Sequence, residues 1–278
     1  MKNTLFAFLI VMTSLALQLP RAFAADAAPA LADDTGTSAW DKKNFFSVMA
    51  EYWHYEEFPD IMTDSGPLLG LQYDFRNTAG MFFYEAGAEI TGGRTTYDGH
   101  TLATNSPVTF TQTNYMYIGQ VWGGVQIHAG GNVYLIPKVG FHFRNLTDLD
   151  DSVSGDYRRD ERYYTLPIGM DVIVKLPTGR LAFTAWATAD FHGQNTSHFT
   201  NIGGDHDGHF KQTQGFGAYM EGNYLYDKYI FGAYLRYWKV KDSNFNFIDF
   251  PADATNSGDY FEPKNETIAF GVKAGFAL

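Results

Sequence analysis

The densest group of side chains able to do chemistry is the stretch SHFTNIGGDHDGH, where His198, Asp205, His206, Asp207 and His209 crowd together. Neutral imidazole and carboxylate are ordinary ligands for zinc, nickel or copper. Their spacing matches no defined metal motif, and Gly203, Gly204 and Gly208 place them in a loop, so a metal site and a solvated polar loop are both open readings. A second group is Asp190-Phe191-His192, an acid and an imidazole two positions apart at the end of an alternating segment. A third sets Asp148, Asp150, Asp151 and Asp156 against Arg158, Arg159, Asp160, Glu161 and Arg162; calcium or lipopolysaccharide bridging is one reading and plain solvation the other. There is no glycine-rich phosphate cradle, no nucleophile elbow and no paired-histidine zinc motif. Zero cysteines exclude a disulfide scaffold, a thiolate metal site and a cysteine nucleophile. No cofactor is expected.

The elements that must position these groups have a period of two. From Phe45 onward apolar residues recur at every second position with Gly, Asn and Asp punctuation, which is the signature of strands. Ten are expected, near 44–55, 67–76, 80–91, 113–127, 132–145, 160–174, 180–192, 212–226, 228–241 and 264–277. One face is continuously apolar, as in Leu181, Phe183, Ala185, Ala187, Ala189 and Phe191, or Ile268, Phe270, Val272, Ala274, Phe276 and Leu278. Connections alternate strictly: tight turns at 76–80, 128–132, 175–180 and 226–228, and long polar segments near 56–66, 92–112, 146–159, 193–211 and 242–263. Short turns on one side, long loops on the other and an even strand count describe an outer-membrane barrel. The fold class expected is all-β, a closed up-and-down antiparallel transmembrane barrel with long extracellular loops and short periplasmic turns.

That barrel puts the apolar face on lipid and the other face inside. The inward set is Glu51, Asp74, Arg76, Glu85, Glu89, Lys138, Arg144, Asp171, Glu221, Arg236 and Lys273, with Gln120, His142, Asp190 and His192. Both signs are present, and a lumen little wider than that of an eight-stranded barrel can be filled by side chains. Opposite charges there should pair, because an isolated buried charge is costly. A largely plugged lumen is therefore expected. Aromatic girdles are expected from Tyr52, Trp53, Tyr115, Tyr117, Tyr163, Tyr164, Tyr237 and Trp238 at the loop ends, and from Phe45, Phe46, Phe75, Phe82, Phe183, Tyr226, Tyr229 and Phe231 at the turn ends. Pro137 and Pro167 fall inside strands, where each should mark a bulge.

Residues 1–24, with Lys2, an apolar run from Leu5 to Leu19 and Ala22-Phe23-Ala24, read as a cleaved secretory signal. Residues 25–43 read as a flexible periplasmic lead-in, and 44–278 as the barrel. The full chain carries −11; without Lys2 and Arg21 it has 18 basic residues against 31 acidic, a charge of −13. Nucleic acid is excluded as a partner, since phosphates are bound by clustered Lys and Arg.

The closing segment, Glu262-Pro263-Lys264-Asn265-Glu266-Thr267 into Ile268–Leu278, resembles the last strand of small Gram-negative outer-membrane barrels of the porin-like and opacity type. Those usually finish on Phe; this one finishes on Leu278 with Phe276 on the same face. The resemblance implies recognition by the barrel-assembly machinery through that strand. The ten-strand plan and Asp190/His192 are also similar to the omptin proteases, whose catalytic Asp and His share that strand end and face an Asp pair on the second external loop. The resemblance implies an Asp-oriented imidazole activating water. Here the second loop offers only Asp98.

The expectation is a monomeric integral protein of the Gram-negative outer membrane, in contact with lipid and lipopolysaccharide and not an enzyme. It would act through its external loops in surface binding of an extracellular ligand, in adhesion or in envelope structure. The alternatives are a narrow porin-like channel for small solutes and an omptin-like protease.

Overall fold

The computed structural model describes residues 39–40, 43–59, 62–100, 105–149, 157–252 and 256–278, except for the side chains of 190 and 191. The expected signal segment lies outside the described residues. Among these residues no helix is long and apolar enough to cross a membrane.

The strands are β1 (Asn44–Glu57), β2 (Met62–Ala79), β3 (Phe82–His100), β4 (Pro107–Val125), β5 (Ile127–Gly130), β6 (Val133–Leu149), β7 (Arg159–Thr165), β8 (Ile168–Leu176), β9 (Gly179–Thr188), β10 (Asp190–Ser197), β11 (Gly208–Lys211), β12 (Gly215–Tyr226), β13 (Tyr229–Val240), β14 (Asn246–Ile248), β15 (Gly258–Tyr260) and β16 (Asn265–Ala277). Four staves are interrupted, namely β4/β5, β7/β8, β9/β10 and β11/β12, so ten cross the wall. Each stave pairs antiparallel with its neighbours. The first and last join along their full length, from Phe45 opposite Ala277 to Glu57 opposite Asn265, and β6 carries β7 on its upper half and β8 on its lower half. The sheet closes on itself, as the alternating sequence required.

The four turns at the lower end are each two residues, 80–81, 131–132, 177–178 and 227–228. Gly80, Gly131 and Asp227 take positive φ there, the conformation that a two-residue hairpin needs. The upper ends depart from expectation. β2, β3 and β4 are 18 or 19 residues long, whereas about 9–11 tilted residues cross a hydrocarbon layer. Much of the segments expected as loops at 56–66 and 92–112 is therefore strand, extending the wall above the apolar belt.

The two faces separate cleanly. Val48, Leu69, Leu71, Ile168 and Val272 are 60–71% exposed on the outside, and such a belt needs lipid around it. Several aromatics expected in the girdles point inward instead: Phe45, Trp53, Tyr163 and Trp238 are all buried. The lumen is narrow enough to need large rings as filler. Neither proline bulges its own strand. Pro137 keeps register with Met170, and the partner stave breaks one step along, at Gln126, in line with Ile136. Pro167 interrupts its stave, and the bulge falls in the neighbouring strand, between Asp190 and His192.

Candidate functional site

Following the inward residues of β1 upward gives the order of the lumen. Phe45 belongs to the lowest apolar layer, with Phe83, Tyr134, Ile136, Ile173, Leu225 and Ile230. Met49 joins Trp122, Trp186, Tyr219, Tyr234 and Trp238. Trp53 and Tyr55 join Met62, Leu68, Met116, Ile118 and Leu146. Above the wall a fourth layer, Phe199, Phe210, Ile248 and Phe250, caps the mouth. It is built from the short 3-10 turn Phe199–Ile202, β11 and the β14–β15 hairpin.

All eleven expected lumen charges are buried, and all are paired. Lys138 bridges Glu85 at 3.0 Å and Asp171 at 2.9 Å; Arg76 contacts Glu85 at 3.2 Å and Asp74 at 3.6 Å. Arg236 makes two bonds to Glu89, at 2.6 and 2.7 Å, tying walls that β2, β1 and β16 separate, and lies 3.7 Å from Glu51. Lys273 holds Glu221 at 2.8 Å, and Arg144 holds Glu161 at 3.6 Å. Four of these five cations also lie over aromatic faces: Arg76 over Trp40, Lys138 over Trp122, Arg236 over Tyr234 and Arg144 over Trp238. In low dielectric such pairs need these extra contacts to offset desolvation. The remaining space includes a cavity of about 30 Å³ lined in part by Asp74, Gln120, His142, Trp186 and Trp238, room for about one water molecule.

Two sealing features lie beyond the residues expected in the lumen. Ala39 and Trp40, expected within the flexible lead-in, are buried in the lower mouth. The Ala39 amide donates to Gln126 Oε1 at 2.7 Å, and Arg180 donates to the Ala39 carbonyl at 2.8 Å. At the upper end Glu57, Asp148, Arg159, Glu161 and Glu262 form a polar layer beneath the cap, with Arg159 2.9 Å from both Glu57 and Asp148. Glu57 could have been read as the next inward step after Glu51, Trp53 and Tyr55. Burial, with the Glu57 and Glu161 carboxylates nearby, pushes Glu262 up to about 8 despite Arg159 and a 2.6 Å bond from Ser197.

The expected metal ligands do not converge. His198 lies between two carboxylates, its Nε2 3.0 Å from Asp160 and its Nδ1 2.8 Å from Asp207. One imidazole cannot bring opposite ring nitrogens to the same ion. Burial raises both acids, but donors more than offset it: Thr147, His198 and Arg158 lower Asp160, and Thr200 and His198 lower Asp207. His206 meets only Asp205 among these candidates, while His209 faces Thr196. Among the described residues no group of three or more His, Cys, Asp or Glu could hold a metal ion. Asp150, Asp151 and Asp156 lie outside the described residues.

The Asp190/His192 pair also comes apart. The bulge shifts the register by one, so Asp190 opposes buried Thr165, whereas His192 opposes Tyr164. His192 is exposed and packs, tilted, against the outward Tyr164 ring at 5.7 Å. It does not face the lumen as expected. The side chain of Asp190 lies outside the described set. Asp98 is exposed, accepts from Thr109 at 3.2 Å, and sits on β3, with β7, β6 and β4 between it and β10.

No protein-family model and no curated protein matches the sequence. Solved structures do resemble the fold. The outer membrane protease OmpT from Escherichia coli aligns with TM-score 0.51 and 8% identity over 88% of this chain and 100% of that one. The transport unit of the autotransporter AIDA-I, also from Escherichia coli, aligns with TM-score 0.45 and 8% identity over 89% and 93%. At such identity the likeness is one of architecture alone: this chain has the fold of an outer-membrane β-barrel.

Proposed function

We propose that the chain is an integral protein of the Gram-negative outer membrane, exported by a cleaved signal. Its lumen does not conduct, and it acts through its folded extracellular cap as a surface-binding or envelope-structural protein. The observation that carries this reading is the filled interior, with paired charges at every level between a lower seal at Trp40 and an upper seal at Phe199, Phe210, Ile248 and Phe250. Paired charge in a desolvated lumen leaves no hydrated path for solutes. The cap supplies a binding face: Phe245 and Phe247 are 63% and 59% exposed, and the Phe261 ring packs, tilted, against Phe245 at 4.9 Å. Contiguous exposed apolar side chains are the usual mark of an interaction surface.

Reconstitution in planar bilayers tests the reading. No steady ohmic conductance is expected above that of the lipid alone; a large, steady channel would move the protein to the porin-like class. The omptin-like reading is the weaker alternative, because His192 lies outside the lumen. A fluorogenic peptide panel cleaved by the native chain and not by His192→Ala would reinstate it.

A further inference from the structure

The outer face of the barrel changes character between the apolar belt and the cap. Up the outside of β13 and β16 the paired residues run from Leu235 beside Phe270, through Tyr237 beside Ile268, to Lys239 beside Glu266. Phe270 is 58% exposed and belongs to the belt; Lys239 and Glu266 are the first charges above it. The chain then continues from β13 toward β14, held on one side by the Lys241 amide on the Gln214 carbonyl at 3.0 Å and on the other by the Ser243 amide on the Glu262 carbonyl at 2.9 Å. Lys211 lies on the first side, its carbonyl accepting from the Asn244 amide at 3.3 Å. Lys264 lies on the second, its amide donating to Asp242 Oδ1 at 2.6 Å. Lys211, Lys239, Lys241 and Lys264 are all exposed, so one patch of wall carries four ammonium groups.

Their charge is poorly matched. Lys239 pairs with Glu266, whereas Lys241 Nζ donates to the neutral amide of Gln214 at 2.6 Å. Among the described residues Lys211, Lys241 and Lys264 form no ion pair with a carboxylate. In a chain with 20 basic residues against 31 acidic, three uncompensated lysines on one patch repel one another and attract an anion. Above them stands the aromatic face of Phe245, Phe247 and Phe261. From the belt upward the surface is thus apolar, then cationic, then aromatic.

We propose that this strip binds one phosphorylated glycolipid of the outer leaflet, which names the occupant of the cap face and rests on the placement of the barrel in the outer membrane. The layers follow the order of such a molecule standing in a membrane. Its acyl chains lie against Phe270 and Leu235, its sugar-borne phosphate meets Lys211, Lys241 and Lys264, and the C–H faces of its outer sugars pack on Phe245 and Phe247. Charge-assisted hydrogen bonds to phosphate are strong. The position of the lysines directly above the belt favours a phosphate anchored at the membrane surface over a polyanion arriving from the medium.

The test is retention of glycolipid by the whole mature chain, folded in detergent with lipopolysaccharide, separated by size and assayed for bound acyl chains. Lys211→Gln/Lys241→Gln/Lys264→Gln, three exposed changes that leave the lumen untouched, should weaken retention by roughly a hundredfold, each lysine at an anionic surface being worth about fivefold. Glycolipid stripped of its phosphate should be held as weakly by the native chain. Equal retention by the native chain and the triple variant would overturn the proposal, as would equal retention of the dephosphorylated lipid. So would displacement of the glycolipid by an equal concentration of its soluble phosphorylated oligosaccharide, which would make the partner an extracellular polyanion. Phe247→Ser should weaken retention of the whole glycolipid and spare one trimmed to its phosphorylated base; an equal effect on both would overturn the assignment of the cap face. Insertion of the native chain into plain phospholipid vesicles, read by its mobility in unheated gels, tests the membrane placement separately. A barrel that inserts and retains no glycolipid refutes this site alone.

Discussion

Replacing Lys138 by Met probes the filled lumen at its most connected cation. The Lys138 ammonium sits 3.0 Å from Glu85 and 2.9 Å from Asp171, and all three side chains are 2% exposed. In the variant Glu85 keeps Arg76 at 3.2 Å, whereas Asp171 keeps the Thr184 hydroxyl at 2.8 Å and only the more distant Arg76 as a counter-charge. One carboxylate is thus left buried without a cation in contact, and breaking a buried pair in this way costs about 3–5 kcal/mol. Equilibrium urea unfolding in detergent should register that loss, and the melting temperature should fall by roughly 6–20 °C. Removing the orphaned charge as well, in Lys138→Met/Asp171→Asn, should recover more than half of it, because the penalty lies in the unpaired ion and not in the absent pair. A loss below about 1 kcal/mol in the single variant, or no recovery in the double one, would mean that water reaches these groups and the lumen is open.

The cap should be less stable at higher pH because of Glu262. Its folded pKa is raised to about 8 from 4.5, so between those values the folded chain holds a proton that the unfolded chain has released. Stability therefore falls as pH rises through that window, by up to about 1.4 kcal/mol per unit. Hydrogen exchange of the Ser197 and Phe199 amides should follow the fall, and Glu262→Gln should flatten it; an unchanged slope would show that another group is responsible. Trp40→Ala should destabilise the chain by about 3 kcal/mol on urea unfolding and yet open no conductance, because the layers around Met49 and Trp53 remain above it. A channel in that variant would show that Trp40 alone closes the barrel.

Period-two patterning made the staves, the turns and the eleven lumen charges legible, since a closed barrel forces alternate residues onto opposite faces. The same pattern misled where the phase slipped. A one-residue bulge at the Asp190–His192 step, which no local composition marks, turned His192 outward. Composition also hid the upper wall: Thr, Asn and Asp at 92–112 read as a loop, yet Asp64 accepts from Gln112 at 2.5 Å and Asn114 at 2.8 Å inside an extended sheet. Ala39 was illegible because its partners, Gln126 and Arg180, are distant in sequence, and Trp40 because the Arg76 guanidinium over its ring is distant too. The loop histidines looked like ligands by proximity along the chain; in space each finds a separate partner.

All five tryptophans, Trp40, Trp53, Trp122, Trp186 and Trp238, point into the interior and are at most 8% exposed. Their fluorescence in vesicles of brominated lipid, read with and without iodide in the buffer, therefore reports on both faces of the wall at once. The barrel described above should resist both quenchers. Strong quenching by the brominated chains would place the rings on the lipid side, and strong quenching by iodide would reveal a water-filled bore.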